Sequence, residues 1–462
     1  MRHMTATVAE LLVRHIESLP DMPAADFDGV EDLVESLREP VPERGDAFDD
    51  LVRRVGEAAT RGFNTAGPGY LAYIPGGGLW SAAVADFLAA ALNRFVGVWN
   101  AAPALVQMEW QAIRWLADAF GYPPTSSGIF TSGGSMSNFS GIVSARRALL
   151  GEDTAGGTLY VSEQAHVSVL KAAVLAGFPR ANVRALTPDS RLRMDPDALR
   201  EAVRADRDAG LRPFLVVASA GTTNTGAVDP IAPIADLAAE EGLWLHVDAA
   251  YGGFFRLTER GRAAFAGIER ADSITLDPHK AMFLPYGTGC LLVREGRRLR
   301  EAHDVHEAEY LQDLASDELT PNFTDLSPEL SRDFRGLRVW LPLKLHGLAA
   351  FREALDEKLD LARVLYEGIR DAPGIVVPWE PELTVVAFRL EPDGASAAEA
   401  EEATRHLLER INASRRVFLS STTIGGRMIL RACVVSHRTH RDRIYEAVDI
   451  VRRAAGELAS TC

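Results

Sequence analysis

The chain has 462 residues, 47% of them hydrophobic and 24% charged, the ordinary make-up of a globular protein long enough for more than one domain. Its 49 basic and 64 acidic residues leave a net charge of -15, which offers no basic footprint for nucleic acid. Three scattered cysteines, Cys290, Cys433 and Cys462, exclude a disulfide framework or a zinc cluster and fit a reducing, cytoplasmic setting.

The segment Met1 to Pro20 reads as a polar start and a short amphipathic helix, without the apolar run and cleavage site of a secretory signal. No window reaches the roughly 18 apolar residues of a membrane span. The richest, Trp80 to Leu92, is short and broken by Asp86. Residues 1–84 alternate helical patterns with acidic and proline-containing breaks such as Glu39-Pro40-Val41-Pro42, as expected of a helical arm. Gly67-Pro68-Gly69-Tyr70 and Pro75-Gly76-Gly77-Gly78 then mark two sharp turns.

Residues 85–350 have the rhythm of an α/β domain. Short apolar runs at Leu159–Val161, Phe214–Ala218, Trp244–Val247, Ser273–Leu276 and Cys290–Val293 lack alternation, as strands buried on both faces of a mostly parallel sheet do. Residues 351–462 open with a helix over Arg352–Ile369. Strands over Thr384–Leu390 and Met428–Val435 follow, with a helix between them that Ser396 caps and that runs to Ile411. That pattern predicts a smaller α+β domain.

Chemistry gathers where the predicted strands end. Leu276-Asp277-Pro278-His279-Lys280 stops a strand at a proline and presents a lysine just beyond it. A lysine there forms a Schiff base once a positive neighbour or desolvation strips its proton, although a lone loop lysine is usually just solvated. Trp244-Leu245-His246-Val247-Asp248-Ala249-Ala250-Tyr251 reads as a buried strand ending in a carboxylate and small residues. Such a carboxylate either caps a helix or keeps the pyridine nitrogen of pyridoxal phosphate protonated, which makes the ring an electron sink. Ala249 and Ala250 leave room for a flat ring, and the interval to Lys280 fits one helix and one strand.

Three weaker signals share that edge. Thr131-Ser132-Gly133-Gly134-Ser135-Met136-Ser137-Asn138 precedes a helical run and fits a phosphate held by backbone N–H groups. His166 stands at a strand-to-helix junction, where it would stack on a ring and later move a proton. Ala220-Gly221-Thr222-Thr223-Asn224-Thr225-Gly226 supplies hydroxyls, as an ordinary turn also would.

In these motifs the chain resembles the group II pyridoxal-phosphate decarboxylases, which include the aromatic-L-amino-acid and glutamate decarboxylases. The likeness runs from about Gly67 to the C-terminal strand with its arginine; the first sixty residues match loosely. The resemblance implies the type I aminotransferase-like α/β fold with a small C-terminal domain. It also implies a homodimer with active sites at the interface, in which residues 1–84 help pair the subunits. Lys280 would carry the cofactor as a Schiff base, Asp248 would pair with the pyridine nitrogen and His166 would stack over the ring. Thr223 and Ala250 would touch the cofactor, while the amides of Ser135 and Met136, with His279, would hold its phosphate.

The same resemblance implies decarboxylation of an L-amino acid to its amine. Tyr73, Ile74, Pro75, Trp80, Phe95 and Trp99 give the expected substrate pocket an aromatic character, although the same residues would also suit a dimer core. The family supplies the last proton from a loop tyrosine. Alignment back from Phe334–Trp340 sets Phe323 at that place, with Tyr310 in the same stretch as a substitute. Phenylalanine there accompanies aldehyde production in related plant enzymes. Three alternatives therefore stand beside amine formation: oxidative release of an aldehyde, aminotransfer with Arg431 gripping the substrate carboxylate, and an acidic substrate met by an inward-turned arginine. A catalytically silent cofactor-binding scaffold would not need Lys280, Asp248 and His166 together.

Overall fold

The computed structural model describes residues 1–303 and 321–459, which group into two compact units. The first comprises Met1–Pro75, Leu361–Glu380 and Val386–Cys462; the second comprises Gly76–Asp360 and Pro381–Val385.

In the first unit, helices Arg2–Ser18, Val30–Ser36 and Phe48–Ala59 alternate with strands β1 (Ala25–Asp26) and β2 (Gly62–Phe63), which pair antiparallel. The N-terminal segment therefore groups with the C-terminal part of the chain.

The second unit is built on a seven-stranded sheet of β3 (Ser127–Thr131), β4 (Gly157–Ser162), β5 (Val183–Leu186), β6 (Arg212–Ser219), β7 (Trp244–Asp248), β8 (Ser273–Leu276) and β9 (Gly289–Val293). Their spatial order is β3-β9-β8-β7-β6-β4-β5, with β4 to β8 parallel and β9 antiparallel to both its neighbours. Every residue of β3, β4, β7, β8 and β9 is buried, which is why these strands show no alternation of apolar and exposed polar residues. Helices such as Gly134–Leu149, Pro196–Asp208 and Ile231–Glu241 connect the parallel strands.

The remaining strands, β10 (Ile375–Val376), β11 (Val385–Leu390), β12 (Ser420–Ile424) and β13 (Arg427–Cys433), form a four-stranded sheet in the order β10-β11-β13-β12. Leu365, Phe388, Leu407, Ile411, Leu430 and Ile444 share its buried core. Ser396 caps helix Ala397–Ala413 in a capping box with Glu399, as its position ahead of the helical pattern predicts. The helix expected over Arg352–Ile369 begins earlier, at Leu337, and is broken at Gly347, whose φ of 74° leaves the right-handed helical region. The polar strand β12 and the short, half-exposed β5 carry no apolar run, so the sequence pattern does not announce them.

Candidate active site

Because β9 runs against both β3 and β8, the carboxyl ends of β3, β4, β6, β7 and β8 share one edge of the sheet. Ligands of open α/β sheets bind at that edge. A cavity of about 280 Å³ opens there, and each strand end delivers part of its lining. Ser132–Met136 follow β3, His166 and Ser168 follow β4, and Gly221–Thr223 follow β6. Asp248 and Ala250 come with β7; Asp277, His279 and Lys280 come with β8.

Lys280 lies in a single helical turn, Pro278–Ala281, that Pro278 opens directly after β8. Its Nζ stands 2.9 Å from Asp277 Oδ2, a carboxylate only 2% exposed. The other oxygen, Asp277 Oδ1, is buried with no hydrogen-bond partner among the described residues. Asp248 ends β7, also buried. Its Oδ2 accepts from Asn138 Nδ2 at 2.9 Å and its Oδ1 from the Ala250 N–H at 3.2 Å.

His166 is the N-cap of helix Val167–Leu175, and its Nδ1 faces the Ser168 hydroxyl at 2.7 Å. Burial lowers its affinity for a proton; Asp248 opposes that shift and Lys280 adds to it. His279 donates from Nδ1 to the Thr288 carbonyl at 2.7 Å, and burial likewise depresses its pKa, with Asp277 opposing. Thr222 and Thr223 sit in a tight turn closed by the Gly226 N–H donating to the Thr222 carbonyl. Behind that turn the buried Asp229 takes the Ser219 and Met194 N–H groups at 2.6 and 2.7 Å.

These residues fit pyridoxal phosphate. The donor set pairs an amine with a carboxylate across one cavity, and the phosphate end has a shaped cradle. Gly133 has φ 154°, and a Cβ on Gly134 would stand 2.9 Å from Asp277 Oδ2 and 3.2 Å from Ala250 Cβ. Only glycine leaves that space open. The cradle leads into the N-terminus of helix Gly134–Leu149, where anions are favoured. One expectation changes in detail: the Met136 N–H already donates to the Gly133 carbonyl at 2.9 Å, which leaves Ser135 as the better placed amide of the expected pair.

Lys280, Asp248, His166, Ser135, Met136, Thr223, Ala250 and His279 thus line one cavity, as their places in the sequence predict. The expected substrate pocket does not line it. Trp80, Phe95 and Trp99 belong to the same unit but are absent from the lining, and Trp80 and Phe95 are 39% and 42% exposed. Tyr73, Ile74 and Pro75 fall in the other unit, where the Tyr73 N–H donates to Ser420 Oγ. Arg431 is buried in that unit and donates to Ser420 Oγ and the Tyr73 carbonyl. Tyr310 and Cys462 lie outside the described residues.

Phe323 is also absent from the cavity lining. It opens a 3₁₀ turn, Phe323–Asp325, and is 0% exposed. The Arg332 guanidinium sits 5.0 Å above its ring, and Arg332 Nη1 pairs with the fully buried Glu109 at 2.6 Å. Arg332 Nη2 donates to the Phe130 carbonyl of β3, and Glu109 Oε2 accepts from the Gly336 N–H. The side-chain roles of two cavity residues escape a motif reading. Asn138 looks like ordinary helix interior and Ser168 like a first-turn serine, and only the fold shows what they bond to.

The fold and the site define a pyridoxal-phosphate-dependent enzyme. Residues 31–391 match the pyridoxal-dependent decarboxylase conserved domain, and the chain belongs to that family. It is 35% identical to the aromatic-L-amino-acid decarboxylase of Bacillus atrophaeus, over 99% of this chain and 96% of that one. It is 32% identical to tryptophan decarboxylase 1 of Oryza sativa subsp. japonica, over 96% and 91%. Among solved structures, Oryza sativa TDC with PLP and tryptamine superposes with a TM-score of 0.94 at 30% identity, covering 99% and 98%. The chain is a pyridoxal-phosphate-dependent amino acid carboxy-lyase. Among the described residues no helix is long and apolar enough to cross a membrane.

Proposed function

We propose that this enzyme decarboxylates an aromatic L-amino acid to its amine, with Lys280 as the attachment point of the cofactor. One observation carries the proposal: Lys280 and Asp248 line a single cavity at the carboxyl edge of the sheet. The names of the relatives, aromatic-L-amino-acid and tryptophan decarboxylases, support the aromatic substrate.

Pyridoxal phosphate, when bound, supplies an electron sink for the pair left on the α-carbon as CO2 departs. The chain's residues do the rest. Lys280 would hold the cofactor through its amine, and Asp277 Oδ2, 2.9 Å from Nζ, would hold the ammonium whenever the amine is free. Asp248 holds the ring nitrogen protonated, and the bonds from Asn138 and Ala250 keep its oxygens in place. His166 would cover the ring face, Thr223 and Ala250 would flank it, and the glycine turn with the Ser135 amide and His279 would hold the phosphate, with Met136 lining the cavity beside them.

The last proton goes to the α-carbon from Tyr310, not from Phe323. Burial of Phe323 beneath Arg332 supports that choice, because a ring in that place serves as an anchor. The aldehyde-forming alternative loses its motive with it. Arg431, bonded to Ser420 and the Tyr73 carbonyl, gives little support to aminotransfer.

The enzyme works as a homodimer in the cytoplasm, with residues 1–84 helping to pair the subunits and residues 85–350 and 351–462 as its large and small domains. Exposed apolar side chains at Trp80, Phe87, Leu88, Leu92 and Phe95 support the pairing, and the free, buried Cys290 and Cys433 suit a reducing compartment. A second copy is also what would bring Tyr73 to Pro75, Trp80, Phe95 and Trp99 into service as a substrate pocket. The test is a panel of L-amino acids offered to the cofactor-loaded protein, with CO2, amine, aldehyde and peroxide measured together. Aromatic substrates should give equal CO2 and amine; aldehyde with peroxide would overturn the reading.

A further inference from the structure

A chain of hydrogen bonds runs behind the cavity, and its direction follows from the groups at its two ends. Trp244 Nε1 can only donate, and it does so to Ser273 Oγ at 2.8 Å. That leaves the single hydroxyl hydrogen of Ser273 for His246 Nδ1 at 2.7 Å, the sense that the carboxylate end of the chain requires. His246 therefore carries its hydrogen on Nε2 and gives it to Asn138 Oδ1 at 3.0 Å, with Thr275 Oγ1 a longer neighbour at 3.3 Å.

The carboxylate at the other end fixes that polarity. Asp248 only accepts as a carboxylate, so Asn138 must turn Nδ2 toward it, which leaves Oδ1 for His246. The second Nδ2 hydrogen goes to Ser168 Oγ at 3.0 Å. Ser168 in turn directs its hydroxyl at His166 Nδ1, 2.7 Å away, and its backbone N–H faces the same nitrogen at 3.3 Å.

We infer that Asn138 and Ser168 are positioning residues that hold His166 as a neutral imidazole with its hydrogen on Nε2, while the same Asn138 amide pins the Asp248 carboxylate. One amide thus sets the group under the ring nitrogen and the proton state of the group stacked over the ring. His166 then acts as a hydrogen-bond donor rather than a cation, and the late proton must come from elsewhere. Protonating it would require a hydrogen on Nδ1, against two donors already aimed there. The charged groups facing it, Asp248, Asp277 and Lys280, pull in opposite directions, and burial favours the neutral form. Its relevance to catalysis rests on the roles proposed above, but the proton arrangement belongs to the protein alone and stands or falls separately.

The test is nitrogen NMR of the full chain labelled with ¹⁵N-histidine, recorded with and without pyridoxal phosphate, with His166→Gln identifying the His166 signals. At pH 7 the two-bond pattern should be that of a neutral ring protonated on Nε2. Ser168→Ala removes one donor from Nδ1, so the His166 midpoint should rise by about half to one pH unit while His246 stays unchanged. Thermal melts confirm that the variant folds, and the wild-type spectrum decides the tautomer without any variant. A hydrogen on Nδ1, a cationic His166 at pH 7, or a midpoint indifferent to Ser168→Ala would overturn the inference.

Discussion

Replacing Phe323 with tyrosine separates a buried anchor from a reacting residue. The side chain is 0% exposed, roofed by the Arg332 guanidinium at 5.0 Å. A hydroxyl added there enters a packed site. Without a partner it costs about 1–3 kcal/mol in desolvation, and crowding adds about 1–3 kcal/mol more. The Arg332–Glu109 pair is the neighbour that must yield, and both its members are fully buried. Phe323→Tyr should therefore lower stability by about 2–6 kcal/mol while leaving the ratio of amine to CO2 at one. Urea denaturation followed by tryptophan fluorescence gives the first number, and product analysis with an aromatic amino acid gives the second. Unchanged stability together with a switch from aldehyde to amine would put Phe323 in the reaction and refute the anchor.

Glu109→Gln leaves the Arg332 charge buried without its counter-ion and should cost about 3–5 kcal/mol, read from the same denaturation curves. Asp229 gives a pH-dependent case: burial pushes its carboxyl up to about 6. A carboxyl with a raised folded pKa keeps its proton in the native state where the unfolded chain has lost it. Its contribution to stability therefore falls as pH rises from about 4 to 6. Asp229→Asn should flatten that part of the stability profile. It should also cost about 1–3 kcal/mol, because the amide nitrogen must face the Ser219 or Met194 N–H. Asp248→Asn likewise sets an N–H against Asn138 or Ala250 and removes the partner of the ring nitrogen. Cofactor affinity, measured by absorbance titration, should drop about 10- to 100-fold.

The site was legible in the sequence because its groups sit where strands end. The buried runs before Asp248 and Lys280 show no alternation, and their next residues break the strand, so both groups fall at one sheet edge without any knowledge of the fold. What escaped the sequence lacks a local pattern. Asn138 is four residues into a helix, and its partners come from one distant strand, β7, which carries His246 and Asp248, and from a second helix, which carries Ser168. Phe323 is a related case. Counting along the chain sets it at the family's tyrosine, whereas its burial depends on Arg332 and Glu109, and Glu109 lies over two hundred residues away. The aromatic residues expected to make a pocket could not be sorted from those that cover an interface, since both roles select the same side chains.

The most direct measurement adds pyridoxal phosphate and an aromatic L-amino acid to the wild-type chain and to Lys280→Ala, and follows CO2 and amine together. Equal CO2 and amine from the wild type, with neither product from Lys280→Ala, is the predicted result. CO2 release that survives the loss of Lys280, or none from any amino acid in the wild type, would contradict the assignment of Lys280 and of the cavity as the seat of decarboxylation.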